Sequence, residues 1–325
     1  MRGVIFPAER EADRLPRPRS RANASPREPL SHAAKTFPDE SRLSMKHSRW
    51  LGFDTILFIA ALTTSAAAAT AGARIDFSSL DIRHPAKVSG TLYLPQNVSH
   101  PVPAIVLIHG TLGIDQRGEL YRQPLLDAGI GIFEVDFKTG IYKGTLDRPE
   151  PDTFLPMAFA ALQLLRQQPA VDPARIGLMG FSMGGNIGLR AAMESNLRQW
   201  MGDSPGFVAF ALFYPVCNRF TKDFEKSGSK LTGAPILIFY GTDDSYGEGK
   251  AVPELKSLLA AQYNFQLATV EYPGATHAFN LNAPAMNYLD PAAKGMRVHI
   301  RWNPEAANDS ITRVVAFLGE NLAAR

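Results

Sequence analysis

The chain has almost no cysteine. Cys217 is the single cysteine among 325 residues, and a lone thiol excludes the internal disulfide framework on which many small secreted domains depend. This residue directly follows an apolar stretch, 207–216. We therefore expect Cys217 to be a small buried hydrophobic residue.

The chain also lacks a basic surface outside its N-terminal segment. Its formal charge is +3, but residues 1–72 hold 11 Lys/Arg and 7 Asp/Glu. Subtracting these from the 34 and 31 of the whole chain leaves 23 and 24, a balance of −1. No stripe of Lys and Arg with interleaved aromatic residues follows, which argues against a nucleic-acid partner. A hydrophobic content of 45% and a charged content of 20% are typical of a globular protein.

The first 44 residues lack the apolar periodicity of a folded segment. They are rich in Arg and Pro, and such a composition buries too little surface to offset the entropy of ordering the chain. We expect 1–44 to be a disordered extension, with Met45 as an alternative start of translation.

Residues 45–73 have the order of a secretory signal peptide. A basic start at 45–49 precedes an apolar run at 55–62 and a stretch of small residues at 65–73. The apolar run is shorter than the ~20 residues that a membrane-spanning helix needs. We therefore predict cleavage between Ala67 and Ala73, no stable membrane insertion afterwards, and a periplasmic or secreted location. An uncleaved anchor or a transit peptide is the alternative.

Residues 74–325 alternate between apolar strands and segments with helical spacing, which predicts one domain of the α/β class. The fully apolar strands indicate a mostly parallel central sheet with helices on both faces. The predicted strands are 88–94, 104–108, 130–135, 176–179, 207–213 and 236–240, and the predicted helices are 120–128, 154–166, 185–193, 252–263 and 311–322. The segments 217–232 and 282–295 are expected to be loops that shape a pocket. Phe154, Tyr214 and Tyr246 either line that pocket or pack in the core.

A candidate nucleophile lies where one of these strands meets a helix. The apolar strand 176–179 continues into Gly180-Phe181-Ser182-Met183-Gly184, a G-x-S-x-G motif, and a helical segment follows at once. A nucleophile on such a turn needs glycines two residues before and after it, because the backbone packs closely there. The following helix directs its N–H groups toward the oxyanion that forms. We interpret Ser182 as a nucleophile.

A serine hydroxyl needs a base with a pKa near 7. Only His277 and His299 follow Ser182 in the sequence, and in this arrangement the order along the chain is serine, acid, histidine. His277 follows a Pro-Gly turn at a strand end, where ligands bind in open α/β sheets. We predict His277 as the general base and His299 as a surface or packing residue.

The acid should follow a buried strand between the serine and the histidine. Strand 236–240 is followed by Gly241-Thr242-Asp243-Asp244. A side chain three residues past the glycine turns back over the sheet edge, which favours Asp244 as the acid that orients His277. Asp243 then caps or solvates the turn.

Two backbone N–H groups should form the oxyanion hole. One belongs to Met183, which follows the nucleophile, and the other belongs to the loop after strand 104–108, where Thr111 is the predicted donor. His109 on this loop either supports the site or is a satisfied histidine at a strand end.

These residues resemble the dienelactone hydrolase family of the α/β-hydrolase superfamily. The resemblance covers about 75–322 and rests on three motifs: the elbow at 180–185, the turn from Gly241 to Asp244, and the segment Pro273-Gly274-Ala275-x-His277-x-Phe279. It implies an α/β-hydrolase fold with neither a metal nor an organic cofactor.

The chain differs from the family at two positions. Ser182 stands where the enzyme that names the family has a cysteine, and Gly110 stands where that enzyme has a glutamate. Both differences favour a general carboxylesterase that acts on a small-molecule ester or lactone. The alternatives are an acyltransferase or peptidase on the same triad, and a non-catalytic binding protein on a hydrolase scaffold.

Overall fold

The computed structural model describes residues 72–137, 151–290 and 295–323. Residues 1–71 lie outside these ranges. They include the whole predicted extension and nearly all of the predicted signal peptide, so both remain predictions.

Eight strands form one sheet in the order β1-β2-β4-β3-β5-β6-β7-β8. Strands β1 and β2 join it antiparallel, and the pairs from β4 to β8 are all parallel. The predicted mostly parallel sheet is confirmed. The strands are β1 (Ala73–Ser78), β2 (Lys87–Tyr93), β3 (Val102–Ile108), β4 (Gly131–Asp136), β5 (Val171–Phe181), β6 (Phe210–Phe213), β7 (Ile236–Gly241) and β8 (Ala268–Tyr272).

Helices cover both faces of this sheet. Alternate residues of β3 enter two separate hydrophobic clusters, since Val106 packs in one and Leu107 in the other. The helices are α1 (Gln116–Asp127), α2 (Pro151–Arg166), α3 (Met183–Ala191), α4 (Glu194–Met201), α5 (Cys217–Ser227), α6 (Glu248–Tyr263) and α7 (Pro304–Asn321). Helices α2 to α6 contribute to the first cluster, and α1 and α7 contribute to the second. Within the described ranges, no helix combines the length and the apolar character needed to cross a membrane.

Several helices begin earlier than their apolar spacing predicts, because capping residues set their first turns. Asp115 precedes α1 and accepts a hydrogen bond from the Arg117 amide at 3.0 Å. Asn303 precedes α7 in the same way and accepts from the Ala306 amide at 3.1 Å, with Pro304 at the first helical position.

Two segments predicted as loops have regular structure. Residues 217–227 form α5, which buries Phe220 and Phe224 one helical turn apart. The prediction for 217–232 was therefore wrong over most of its length. Cys217 opens this helix as a free, fully buried thiol, as expected.

The second segment, 282–295, contains β9 (Met286–Asp290), which pairs antiparallel with β10 (Met296–Ile300). This β9–β10 hairpin forms a separate two-stranded sheet. A bridge between Ile300 and His277 sets the end of β10 alongside the loop after β8.

Candidate active site

Three polar side chains meet at one edge of the sheet. Strands β5, β7 and β8 run parallel, so their carboxyl ends lie at the same edge. Ser182 follows β5, Asp244 follows β7 and His277 follows β8. His277 Nε2 lies 2.9 Å from Ser182 Oγ, and His277 Nδ1 lies 2.8 Å from Asp244 Oδ2.

Ser182 occupies a strained turn between β5 and α3. Its backbone has φ 52° and ψ −110°, a conformation that L-residues rarely adopt and that costs of order 1–3 kcal/mol. A Cβ on Gly180 would overlap the carbonyl of Gly184, and a Cβ on Gly184 would overlap the carbonyl of Ile108. The two glycines are therefore required by close backbone contact.

Helix α3 begins directly behind the serine. Its first N–H groups, starting with that of Met183, have no partner within the helix and carry the positive end of its dipole. The β3–α1 loop, residues 109–115, reaches the same place, because Gly184 packs against the carbonyls of Ile108 and His109. Thr111 on this loop is exposed.

Asp244 and His277 are both withdrawn from solvent. The side chain of Asp244 is 0% exposed and that of His277 is 5% exposed. A carboxylate accepts only, so Nδ1 of His277 carries the proton and Nε2 is left to accept from the serine hydroxyl. The Tyr246 amide donates to the other Asp244 oxygen at 2.8 Å. Asp243 is exposed, and its amide donates to the Ala275 carbonyl.

Two tyrosine rings enclose the imidazole of His277. Tyr214 packs edge-on against it with ring centroids 4.6 Å apart, and Tyr246 does the same at 4.5 Å. Tyr214 is fully buried, and burial raises the pKa of its hydroxyl to about 12. Tyr246 donates from its hydroxyl to Asp290 Oδ2 on the β9–β10 hairpin at 2.7 Å. These contacts leave the ring little freedom to rotate.

Tyr214 belongs to a buried network of hydrogen bonds between residues that are distant in the sequence. Arg117, which pairs with Asp115, donates to the Tyr214 hydroxyl at 3.3 Å. That hydroxyl donates to Asn280 Oδ1 at 2.5 Å, and Asn280 donates in turn to the Tyr121 hydroxyl at 2.8 Å. This network links the β3–α1 loop to the segment that carries His277.

Glu248 is a buried carboxyl close to Asp244. It is 0% exposed, and its Oε1 accepts from the Cys217 amide at 2.7 Å. Burial, followed by the nearby charge of Asp244, raises the pKa of Glu248 to about 8. The group is therefore neutral at pH 7 and joins the first turns of α5 and α6.

The other candidate residues are two buried residues, His109 and Phe154, and one exposed residue, His299. His109 is a satisfied histidine, since Nε2 accepts from the Phe137 amide at 3.2 Å and Nδ1 bonds the Gly110 carbonyl at 2.6 Å. Phe154 is fully buried and stacks on Phe137, so it belongs to the core. His299 is exposed on β10, as predicted for a surface residue. In the part of the chain that the structure describes, no group of three or more His, Cys, Asp or Glu could hold a metal ion.

The match to a protein-family model decides the family. The model of the dienelactone hydrolase family matches residues 88–322, which is more than half of the chain and includes the whole site. The chain belongs to the dienelactone hydrolase family.

Two curated relatives resemble part of this dienelactone hydrolase family member. Esterase FrsA of Photorhabdus laumondii is 34% identical over 113 residues, which cover 34% of this chain and 26% of the relative. A Bradyrhizobium protein named "Probable 2-oxo-3-(5-oxofuran-2-ylidene)propanoate lactonase" is 31% identical over 127 residues, covering 37% of this chain and 46% of the relative. The chain thus spans less than half the length of either.

Solved structures match over a larger share of the chain. Esterase 2 of Thermogutta terrifontis, phosphoramylated by tabun, has a TM-score of 0.55 and 17% identity, covering 78% of this chain and 97% of that one. The dienelactone hydrolase-like promiscuous phosphotriesterase P91 from metagenomic libraries has a TM-score of 0.55 and 18% identity, covering 77% and 99%. This likeness shows the fold, and the predicted α/β-hydrolase fold is confirmed.

Sequence reasoning missed the surroundings of the imidazole. The sequence predicts Tyr214 and Tyr246 as residues of a pocket or of the core, but it does not predict their contact with His277. The sequence signal is that Tyr214 directly follows the apolar run 207–213 and so marks a strand end, whereas the position of β6 between the strands of Ser182 and Asp244 is seen only in the structure. Glu248 gave no such signal, because acidic residues are common in the first turn of a helix.

We expect the substitution Gly184→Ala to destabilise the protein by about 1–3 kcal/mol, because the added methyl group would overlap the backbone of β3. Gly319→Ala is the matched control, since Gly319 lies in α7 with open space around it and alanine is the better helix former. Thermal unfolding should show a lower Tm for the first variant and an unchanged or higher Tm for the second. Equal effects would contradict the close contact at Gly184.

Glu248 should make stability fall with rising pH. Above pH 4.5 the unfolded chain releases this proton, whereas the folded chain holds it up to a pKa of about 8. Unfolding therefore becomes easier across this window, by at most about 1.4 kcal/mol per pH unit. We expect Glu248→Gln to lose less stability than the wild type between pH 5 and pH 8.5, measured by denaturant unfolding.

The control for this measurement is Glu254→Gln, an exposed position on the same helix. It should reproduce the wild-type dependence of stability on pH. A Glu248→Gln protein that also tracks the wild type at every pH would show that this carboxyl is not neutral in the folded state.

Proposed function

We propose that this protein is a serine hydrolase that cleaves carboxylic esters or lactones through an acyl-Ser182 intermediate. The observation that carries the proposal is the continuous set of hydrogen bonds from Ser182 Oγ through His277 to Asp244, at 2.9 and 2.8 Å, on a strained strand-to-helix turn. Membership of the dienelactone hydrolase family supports it. The names of the two curated relatives, an esterase and a lactonase, point to the same reaction class.

In the first half of the reaction, Ser182 Oγ attacks the carbonyl carbon while His277 Nε2 removes its proton. The carbonyl oxygen becomes an oxyanion, which the amides of Met183 and Thr111 stabilise as hydrogen-bond donors. The buried charge of Asp244 stabilises the imidazolium, and its bond to Nδ1 holds the correct tautomer. His277 then gives the proton to the leaving alcohol, and the acyl group remains on Ser182.

In the second half, water replaces the alcohol. His277 removes a proton from the water as its oxygen attacks the acyl carbon, and the same two amides hold the second oxyanion. The bond to Ser182 Oγ then breaks, Oγ recovers its proton from His277, and the carboxylic acid leaves. Both halves need an imidazole that keeps its orientation, and the packing of Tyr214 and Tyr246 against the ring supports this requirement.

Removing the nucleophile should abolish turnover. We expect the full chain to hydrolyse p-nitrophenyl acetate and Ser182→Ala to lose about 10⁴-fold or more in kcat, because only binding and the oxyanion donors would remain. Release of p-nitrophenol measures both. If wild type and variant were equally inert, a non-catalytic binding protein would be the better interpretation, and equal activity would show that Ser182 is not the nucleophile.

The two neighbouring aspartates give a matched pair. Asp244→Asn should lower kcat by about 10³–10⁴-fold, because an amide donor beside Nδ1 favours the wrong tautomer of His277. Asp243→Asn should stay within a few-fold of the wild type, since that side chain is exposed and lies off the line from Asp244 to Ser182. The opposite ranking in p-nitrophenyl acetate hydrolysis would assign the acid to Asp243.

A further inference from the structure

Exposed apolar side chains concentrate beside the candidate active site. Within the described ranges, seven large hydrophobic side chains are exposed, and five of them lie on two segments that border the triad. These five are Leu112 and Ile114 on the β3–α1 loop, and Tyr288, Leu289 and Met296 on the β9–β10 hairpin. Grouped apolar exposure of this kind marks a ligand-binding or interaction site, whereas scattered single residues do not.

One of these segments lies beside Ser182 and the other lies beside His277. The β3–α1 loop follows β3, whose end packs against the first turn of α3 beside Ser182. The hairpin lies on the histidine side, because Ile300 forms a bridge with His277 and Tyr246, which packs on the imidazole, donates to Asp290.

The alternation of side chains divides the hairpin into two faces. Directly paired residues share a face, so Met296 lies with Asp290 and Val298 lies with Tyr288. This inner face also contains the buried Ile300 and packs toward Tyr246. The inner face comprises Met286, Tyr288, Asp290, Met296, Val298 and Ile300, and the outer face comprises Asn287, Leu289, Arg297 and His299.

The chemistry of the proposed reaction places the leaving alcohol on the hairpin side. His277 Nε2 delivers the proton to the leaving oxygen, so this oxygen must lie at Nε2. The carbonyl oxygen points the other way, toward the β3–α1 loop. Tyr246 and the inner face of the hairpin lie on the histidine side of the site, and Tyr288 and Met296 on this face remain 38% and 39% exposed.

We infer that the substrate is an ester with an uncharged, apolar alcohol portion, which binds against Tyr288 and Met296 on the inner face of the hairpin. This inference rests on the proposed function. Asp290 is the one charged residue of the six on this face, so a carboxylate on the alcohol would approach a like charge. An apolar alcohol covers the two exposed side chains without this repulsion.

The test is a series of acetate esters with ethyl, butyl and hexyl alcohols, followed by acid release at constant pH. The acyl group is constant and these alcohols are equally good leaving groups, so the ratio of kcat/KM for hexyl and ethyl acetate reports binding of the alcohol. Each additional methylene group raises kcat/KM by about two- to fourfold when it is half to fully buried. We expect a ratio of at least about tenfold.

Variants on the two faces of the hairpin separate this contact from general effects. Met296→Ser should lower the hexyl-to-ethyl ratio by about fivefold, and Met296→Leu should restore it. Tyr288→Ser should lower the same ratio, but the Tyr288 side chain bonds Tyr246, which packs on His277, so only the ratio and not the rate with ethyl acetate is compared for this variant. Leu289→Ser is the matched control on the outer face and should keep the wild-type ratio. Either inner-face variant is sufficient if the other does not fold.

An ester with a charged leaving group tests whether the site disfavours a carboxylate on the alcohol portion. The wild type should cleave 4-methylphenyl acetate at least about tenfold better, in kcat/KM, than the acetate ester of 4-hydroxybenzoate, although the carboxylate makes its phenol no worse a leaving group. A hexyl-to-ethyl ratio near one, or an equal effect of Leu289→Ser and Met296→Ser, would overturn the inference while Ser182-dependent cleavage of ethyl acetate continued. Failure to cleave any ester would instead overturn the proposed function.

Discussion

The close contact between the first turn of α3 and the end of β3 is the constraint on which the site depends. Gly184 lies against the backbone carbonyl of Ile108 with no room for a side chain, and this contact allows Ser182 to stand at a positive φ between a central strand and a helix. The surrounding structure holds Ser182 in this strained conformation, because β5 lies in the middle of an eight-stranded sheet with buried residues on both faces. The same contact brings the β3–α1 loop beside the serine.

The histidine depends on contacts of a different kind. Ser182 is held by its own strand and helix, whereas His277 lies on a loop after β8 and gains its position from Tyr214, Tyr246 and Asp244. Those three residues come from the ends of β6 and β7. Glu248 adds a neutral link between the helices that follow these strands. The site therefore combines a serine on a locally strained turn with a histidine that is positioned by tertiary contacts.

The difference between the local contacts of Ser182 and the tertiary contacts of His277 explains what could be predicted from the sequence. The apolar strands, the glycines around Ser182 and the turn before His277 are local patterns, and the structure agrees with them. Helix α5 was missed because its buried face shows in the sequence only as Phe220 and Phe224 among polar residues. The β9–β10 hairpin was missed because apolar Leu289 on the outer face and charged Asp290 on the inner face break the alternation of a half-buried strand. Contacts between distant residues, such as Tyr246 with Asp290, have no local signature.

The buried hydrogen-bond network from Arg117 through Tyr214 and Asn280 to Tyr121 has a consequence for folding during synthesis. Tyr121 also bonds Ser310 on α7 at 2.6 Å, across 189 positions of the sequence. The ribosome delivers the elbow well before His277 and α7, and non-local contacts of this length close slowly. The network therefore gains its last member, Ser310, only after α7 has been synthesised and has packed beside α1.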